Sequence, residues 1–235
     1  MTELVVALDV STIHEEESLL EHLKNTVNLY KIGLRLFTAH GKRAVDLVHR
    51  WGGKVFLDLK FHDAPDTVAH AVQEAQRLGV AAVSLHLSGG TDMLKAAAEI
   101  QPRPLLWGVA LLPHLAEKDL RVLSPRPTAA TLSKNLARLG WVNGMDGIIC
   151  PGRDVAALRK ALPHLDMRFI CPGIHPAAGP MDGQKKAMTP GEAAALGINH
   201  IVVGRPITQD PNPLKAAQNI LAEMGHAAAG ALERP

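Results

Sequence analysis

The chain has 235 residues, 47% hydrophobic and only 3% aromatic, with a net charge of +2 from interspersed acids and bases. That length suits one large domain. Neither the basic face and stacking aromatics of a nucleic-acid protein nor an apolar run long enough to span a membrane is expected.

Short β-rich runs recur along the chain, with helical stretches between them. The first covers 4–9 and ends at Asp9. Thr12 follows, three residues before Glu15, the spacing of a helix-starting capping box. A second strand, 28–32, carries Lys31, and a third, 54–60, runs from Val55-Phe56-Leu57 into Asp58-Leu59-Lys60. Val68 to Leu78 repeats apolar residues at helical spacing and stops at Gly79. Strand 81–86 brings Ser84 and His86, and further strands are read at 105–111, 146–150, 167–171 and 200–204. The longest irregular piece runs from Cys171 to Thr189 and is rich in Pro and Gly; a loop that long inside a compact domain is usually functional. Thr189-Pro190-Gly191-Glu192 then restarts a helix, with Pro at the first helical position.

Eight strand-plus-helix units in one chain predict an α/β fold, a single-domain (β/α)8 TIM barrel over 1–225. Residues 226–235, low in complexity, are expected to form a flexible C-terminal tail. The near-continuous apolar strands fit a parallel sheet covered on both faces. An open doubly wound sheet is the alternative, but it would place a Gly-rich phosphate turn after the first strand, where this chain has Asp9-Val-Ser-Thr. Cys150 and Cys171 each close an apolar run and read as buried thiols of a reducing cytoplasm. No leader-like n-region and h-region opens the chain, which again points to the cytoplasm.

In such a barrel the chemistry sits at the C-terminal ends of the strands. Asp9, Lys31, Asp58 with Lys60, His86 and Arg205 all fall at or just after such ends. Each alone reads as well as a solvated rim charge. Asp58 and Lys60 are different, because residues two apart on a strand share a face, and buried charges cost several kcal/mol each unless paired. With Asp63 just beyond, the cluster suits a negatively charged substrate and the movement of one proton. At the far end of the chain, Gly204-Arg205-Pro206 between a strand and a short helix reads as a phosphate site, combining helix N–H groups with a guanidinium fork. The loop 171–189 is placed to act as a lid, with Gly173, Gly179 and Gly183 as hinges and Gln184 reaching the ligand.

Asp9, Tyr30-Lys31-Ile-Gly33, Asp58-Leu-Lys60-Phe-His-Asp63-Ala-Pro65-Asp-Thr67, Pro172-Gly173-Ile, Gln184, Met188-Thr-Pro190 and Val202-Val-Gly204-Arg205-Pro206-Ile-Thr208 together resemble the orotidine 5'-monophosphate decarboxylase family, in order from residue 4 to about 208. The resemblance implies decarboxylation of orotidine 5'-monophosphate to uridine 5'-monophosphate in pyrimidine biosynthesis, without metal or organic cofactor. It implies a homodimer in which Lys31, Asp58 and Lys60 come from one subunit and Asp63 and Thr67 from the other. Asp9 and Lys31 would hold the ribose hydroxyls, and Arg205, Gly204 and Gln184 the phosphate. Lys60 would stabilise the carbanion left by CO2 and protonate it, while Lys31 and Asp63 keep Asp58 and Lys60 charged.

Three positions depart from the family pattern. His175 stands where an arginine usually follows Pro-Gly-Ile, so the phosphate would lose a permanent charge. Leu112-Pro113-His114 replaces a hydroxyl-bearing segment that contacts the pyrimidine, and Pro113 offers neither hydroxyl nor N–H. Asp66 takes the place of a more usual asparagine. Two other readings stay open. A Mg2+-dependent sugar-phosphate decarboxylase or aldolase shares Asp-x-Lys-x-x-Asp, but typically has an acid where this chain has Lys31, and a cation there opposes Mg2+. A nucleotide-sensing protein without turnover would tolerate Pro113 and His175. His62, His86, His114 and His175 lack the tight helical spacing of a zinc site.

Overall fold

The computed structural model of the protein describes residues 1–112, 115, 117–123, 128–164, 166–176 and 188–232, with side chains at all of these except 117, 123 and 226–232. In chain order the elements begin β1 (Glu3–Ala7), α1 (Ile13–Leu23), β2 (Leu29–Gly33), α2 (Leu34–His40), α3 (Lys42–Arg50), β3 (Lys54–Phe61), α4 (Pro65–Arg77), β4 (Ala82–His86) and α5 (Gly90–Glu99). They continue with β5 (Leu105–Val109), α6 (Glu117–Leu123), α7 (Ala129–Val142), β6 (Gly147–Ile149), α8 (Gly152–Ala161) and β7 (Arg168–Pro172). The chain closes with α9 (Pro190–Ala195), β8 (His200–Val203), α10 (Arg205–Thr208) and α11 (Pro213–Leu232).

The eight strands form one closed parallel barrel in sequence order, with β1 pairing back to β8 through Glu3↔His200 and Val5↔Val202. The expected (β/α)8 barrel is therefore the fold, and each of the eight expected strands is present within a few residues.

Strand alternation divides the core in two. Val5, Ala7, Phe56, Trp107, Ile170 and Val202 belong to a cluster that contains no helix residue, which places them inside the barrel. Their sequence neighbours Leu4, Val6, Leu57 and Val203 pack instead with helix residues in the layer outside. Phe56 and Trp107 plug the interior with ring centroids 4.5 Å apart. Both strand faces are thus buried, which is why the strands read as apolar runs rather than as alternation.

The helix starts follow their local chemistry. Thr12 Oγ1 accepts Glu15 N–H at 3.2 Å and Glu15 Oε2 accepts Thr12 N–H at 2.9 Å, closing the capping box of α1. Thr189 and Glu192 exchange the same pair of bonds at the start of α9, at 3.1 and 2.8 Å. Helix α4 begins at Pro65, earlier than the apolar periodicity from Val68 suggests, because its first turn is solvent-facing and Pro presets the helical φ. It ends where expected, with Gly79 in the left-handed region at φ +73°. The α11 backbone stays helical to Leu232, into the segment read as a tail, whose last residues 233–235 lie outside the described ones.

Candidate active site

At the C-terminal mouth of the barrel, three strands deliver charge to one point. Lys31 Nζ from β2 donates to Asp9 Oδ1 at 2.9 Å and stands 3.6 Å from Asp58 Oδ2. Lys60 Nζ donates to Asp58 Oδ1 at 2.9 Å, so the Asp58 carboxylate lies between two ammonium groups. The β2–β3 register, Lys31↔Phe56 and Gly33↔Asp58, sets Lys31 and Asp58 diagonally across the two strands on one face. Burial alone would raise the Asp58 carboxyl. The charges of Lys31 and Lys60, with hydrogen bonds from Lys60 and Ser84, outweigh it and hold Asp58 below the ordinary carboxylate value. A like arrangement of charges in water would be worth little; here the side chains of Lys31 and Asp58 are each only 12% exposed.

These charges form one wall of a cavity of about 200 Å3. Phe56, Val109, Ile149, Ile170 and Val202, from the barrel interior, supply an apolar floor, and Leu112 packs against the same cluster and lines the cavity too. A hollow of about 220 Å3 between α7 and α8 is as large, but among the described residues Lys134 and Asp154 are its only ionisable lining residues. Chemistry rather than volume selects the first.

Asp58 and Lys60 meet as expected, but not because β3 is regular. Lys60 adopts φ +55°, unusual for a residue with a side chain. The β3–β4 pairing breaks after Leu57↔Val83 and resumes at Phe61↔Leu85. Ser84, fully buried, fills the break: its Oγ donates to Asp58 Oδ1 at 2.8 Å and accepts Lys60 N–H at 2.9 Å. From sequence Ser84 stands with His86 at the end of the fourth strand, on the rim that carries the chemistry, but without a role of its own. The signal was its parity with Ala82 and His86, which points a hydroxyl into an apolar strand's inner face.

Asp63 lies just past the end of β3, and its Oδ1 accepts the next residue's N–H, that of Ala64, at 2.6 Å. His62 through Thr67 is a continuous exposed stretch on this chain. Asp63 joins no ion pair with Lys60 among the described residues. His86 half-buries its ring 5.4 Å from that of His62. Burial first, then the charges of His62 and Lys60, lower its pKa and favour the neutral imidazole.

The other candidate residues sit around the same rim. Asp9 has a half-exposed carboxylate, and a β-carbon built on Gly204 would stand 3.9 Å from its Oδ2, so the end of β8 adjoins Asp9. Arg205 opens α10 and is exposed. His175 is partly exposed, and its N–H donates to Met188 O at 3.1 Å, joining the two bases of the loop expected as a lid. Pro113, His114, Gly179, Gly183 and Gln184 lie outside the described residues. Cys150 and Cys171 are buried free thiols, and Cys150 lines the cavity.

A family model described as Orotidine 5'-phosphate decarboxylase / HUMPS family matches residues 2–220. An orotidine 5'-phosphate decarboxylase of Saccharophagus degradans is 41% identical over 232 residues, covering 97% of this chain and 97% of the relative. That of Opitutus terrae is 39% identical over 226 residues, covering 94% and 98%. Among solved structures, orotidine 5'-phosphate decarboxylase from Lactobacillus acidophilus superposes with a TM-score of 0.84 at 30% identity, covering 95% of this chain and 99% of that one.

Proposed function

The chain belongs to the orotidine 5'-phosphate decarboxylase family, and from that membership we propose how its own residues carry out the reaction. The activity is the decarboxylation of orotidine 5'-monophosphate to uridine 5'-monophosphate, a carboxy-lyase step of pyrimidine biosynthesis. The observation that carries the mechanism is the contiguous Lys31–Asp58–Lys60 array against an apolar cavity floor.

Breaking the bond to CO2 leaves an electron pair in the ring plane on a carbon with no enolate to take it. A fixed positive charge beside that carbon lowers the barrier, and a proton from the same group quenches the anion. Lys60 does both in this proposal: Asp58 holds its ammonium at 2.9 Å before substrate arrives, so little reorganisation is needed during the reaction. Lys31, bonded to Asp9 and close to Asp58, keeps the carboxylate ionised and orients the ribose hydroxyls together with Asp9. The second acid, Asp63, and Thr67 are exposed here and are assigned to the site of a second copy in a homodimer. Gly204, Arg205, Gln184 and His175 are assigned to the phosphate and Pro113 to the pyrimidine, from the positions they take in the family's sequence pattern.

The Lys31 ammonium between two carboxylates argues against the Mg2+-dependent sugar-phosphate reading, since a divalent cation would have to enter beside a fixed cation. Buried thiols at Cys150 and Cys171 are in keeping with a cytoplasmic enzyme.

The test follows the ultraviolet absorbance of orotidine 5'-monophosphate with the purified protein in excess EDTA, alongside Lys60→Ala. Turnover that survives the chelator and is lost in the variant is the expected result. Turnover in both proteins would remove Lys60 from the mechanism. No turnover with intact nucleotide binding would favour a sensor.

A further inference from the structure

On β3 three residues, Asp58, Leu59 and Lys60, stand opposite the single residue Ser84 of β4, since pairing runs through Leu57↔Val83 and resumes only at Phe61↔Leu85. A regular ladder would satisfy Lys60 N–H with a neighbouring strand carbonyl. The bulge removes that option, and Ser84 Oγ takes the bond instead, at 2.9 Å. A hydroxyl has one donor and can accept in the same instant. Ser84 spends its donor on Asp58 Oδ1 at 2.8 Å. With Lys60 Nζ on that oxygen at 2.9 Å, Oδ1 is occupied twice and Oδ2 is left towards Lys31.

We propose that Ser84 is a positioning residue for the decarboxylation: one buried hydroxyl closes the β3 bulge and thereby sets the Asp58 carboxylate against the Lys60 ammonium. The proposal rests on the mechanism above. Ser84 acts through two other residues and belongs to neither the phosphate nor the ribose groups assigned there. Its place is fully buried, so bulk water cannot stand in for the lost hydroxyl. Without it, Lys60 keeps its left-handed backbone with an unsatisfied N–H, or the bulge rearranges and the ammonium leaves the carboxylate. Either way the reacting groups lose their preset geometry.

Ser84→Ala tests this. The expected result is a fall in kcat of roughly 10- to 100-fold, the scale of an ångström-level misplacement, with a much smaller change in KM and a melting temperature lowered by no more than about 10 °C, the scale of one unsatisfied buried N–H. The acid limb of the kcat profile should move to higher pH, because Asp58 loses a bond that favours its ionised form. Ser84→Thr, which keeps the hydroxyl, should recover most of the rate. A kcat within twofold of wild type overturns the proposal; so does a loss that merely tracks unfolding, with the pH limb unmoved. If Ser84→Ala does not fold, Ser84→Cys, similar in size with a far weaker donor, takes the same readouts. If the wild-type protein itself fails to decarboxylate orotidine 5'-monophosphate, the functional reading falls. The Ser84 role is then judged on the ligand-free protein by 13C NMR titration of the Asp58 carboxyl. An upward shift in Ser84→Ala supports it, and an unchanged titration overturns it.

Discussion

A β-carbon placed on Gly33 would stand 2.9 Å from Lys31 Nζ and 3.2 Å from Asp9 Oδ1, so glycine at this position leaves the space that the Lys31 ammonium occupies. Gly33 has φ −98° and ψ −175°, extended backbone open to any residue. Its small size therefore serves the neighbouring charge and not the chain's conformation.

Gly33→Ala should consequently cost activity with little loss of stability. The added methyl meets the far end of a flexible side chain, which can move aside at a cost under about 1 kcal/mol. Moving it detaches Lys31 from Asp9 and changes its distance to Asp58. A kcat/KM lowered about tenfold or more with a melting temperature within a few degrees of wild type is expected. Equal activity in the two proteins would mean that Lys31 works from more than one position.

Asp58→Asn removes the charge that holds two ammonium groups together. The expected fall in kcat is on the order of 100- to 1,000-fold, the scale of losing one preorganised electrostatic group. Stability gives a second, signed readout. The folded carboxyl titrates below its ordinary value, so its ionised form contributes stability above the unfolded value and loses it as pH falls through the folded one. The wild-type advantage over Asp58→Asn should hold near pH 7 and vanish in acid, below the ordinary carboxylate range of about 4. Melting temperatures of both proteins from neutral pH to pH 3 check it.

The assignment of Asp63 to a partner's site predicts complementation. Asp63→Asn and Lys60→Ala homodimers should each be nearly inactive. In a heterodimer one site would carry both substitutions and the other neither. Random exchange should then restore about a quarter of the wild-type rate. An equimolar mixture assayed after exchange, with heterodimers verified by mass spectrometry, reads this directly; no recovery would mean the two residues serve one and the same chain.

Glu16 is a carboxyl that the fold buries without any need from the active site. It points inward from α1 beside Leu19 and Leu20 at 0% exposure, and neither oxygen has a hydrogen-bond partner among the described residues. Burial, with a smaller push from Glu17, raises its pKa to about 8. The folded state therefore holds a proton that the unfolded chain releases above its ordinary 4.5, so this residue's contribution weakens as pH rises towards 8 and then levels. Glu16→Leu should remove a pH-dependent penalty on the order of 4 kcal/mol at pH 8 and under about 1 kcal/mol at pH 5. Denaturant unfolding at the two pH values would show it, and an equal effect at both would place the penalty elsewhere.

The residues that local chemistry governs were legible from the sequence. Apolar runs marked all eight strands, and Thr12 with Glu15 and Thr189 with Glu192 marked two helix starts, because a cap or a strand repeat is settled by residues a few positions apart. Lys31, Asp58 and Lys60 could be put at one rim by the rule that barrel strands all end on the same face. The start of α4 was placed late only because its first turn has no buried side to reveal it.

What tertiary structure decided is which atoms meet. The Lys31–Asp58 contact at 3.6 Å follows from the β2–β3 register. The bulge opposite Ser84 follows from the β3–β4 register, and neither strand alone encodes the slip. The sequence led to a pair of charges that do meet, at 2.9 Å, but for a reason that holds only on a regular strand. In the folded barrel Asp58 and Lys60 converge through a left-handed residue and a hydroxyl from the next strand. Gly33 and Glu16 belong to the same class: Gly33 matters because the Lys31 ammonium turns to Asp9, 22 residues earlier in the chain, through the space beside it, and Glu16 because the folded chain removes its carboxyl from water. Periodicity and capping are short-range and survive in a one-dimensional reading, whereas register, burial and the distance between two charges exist only once the barrel has closed.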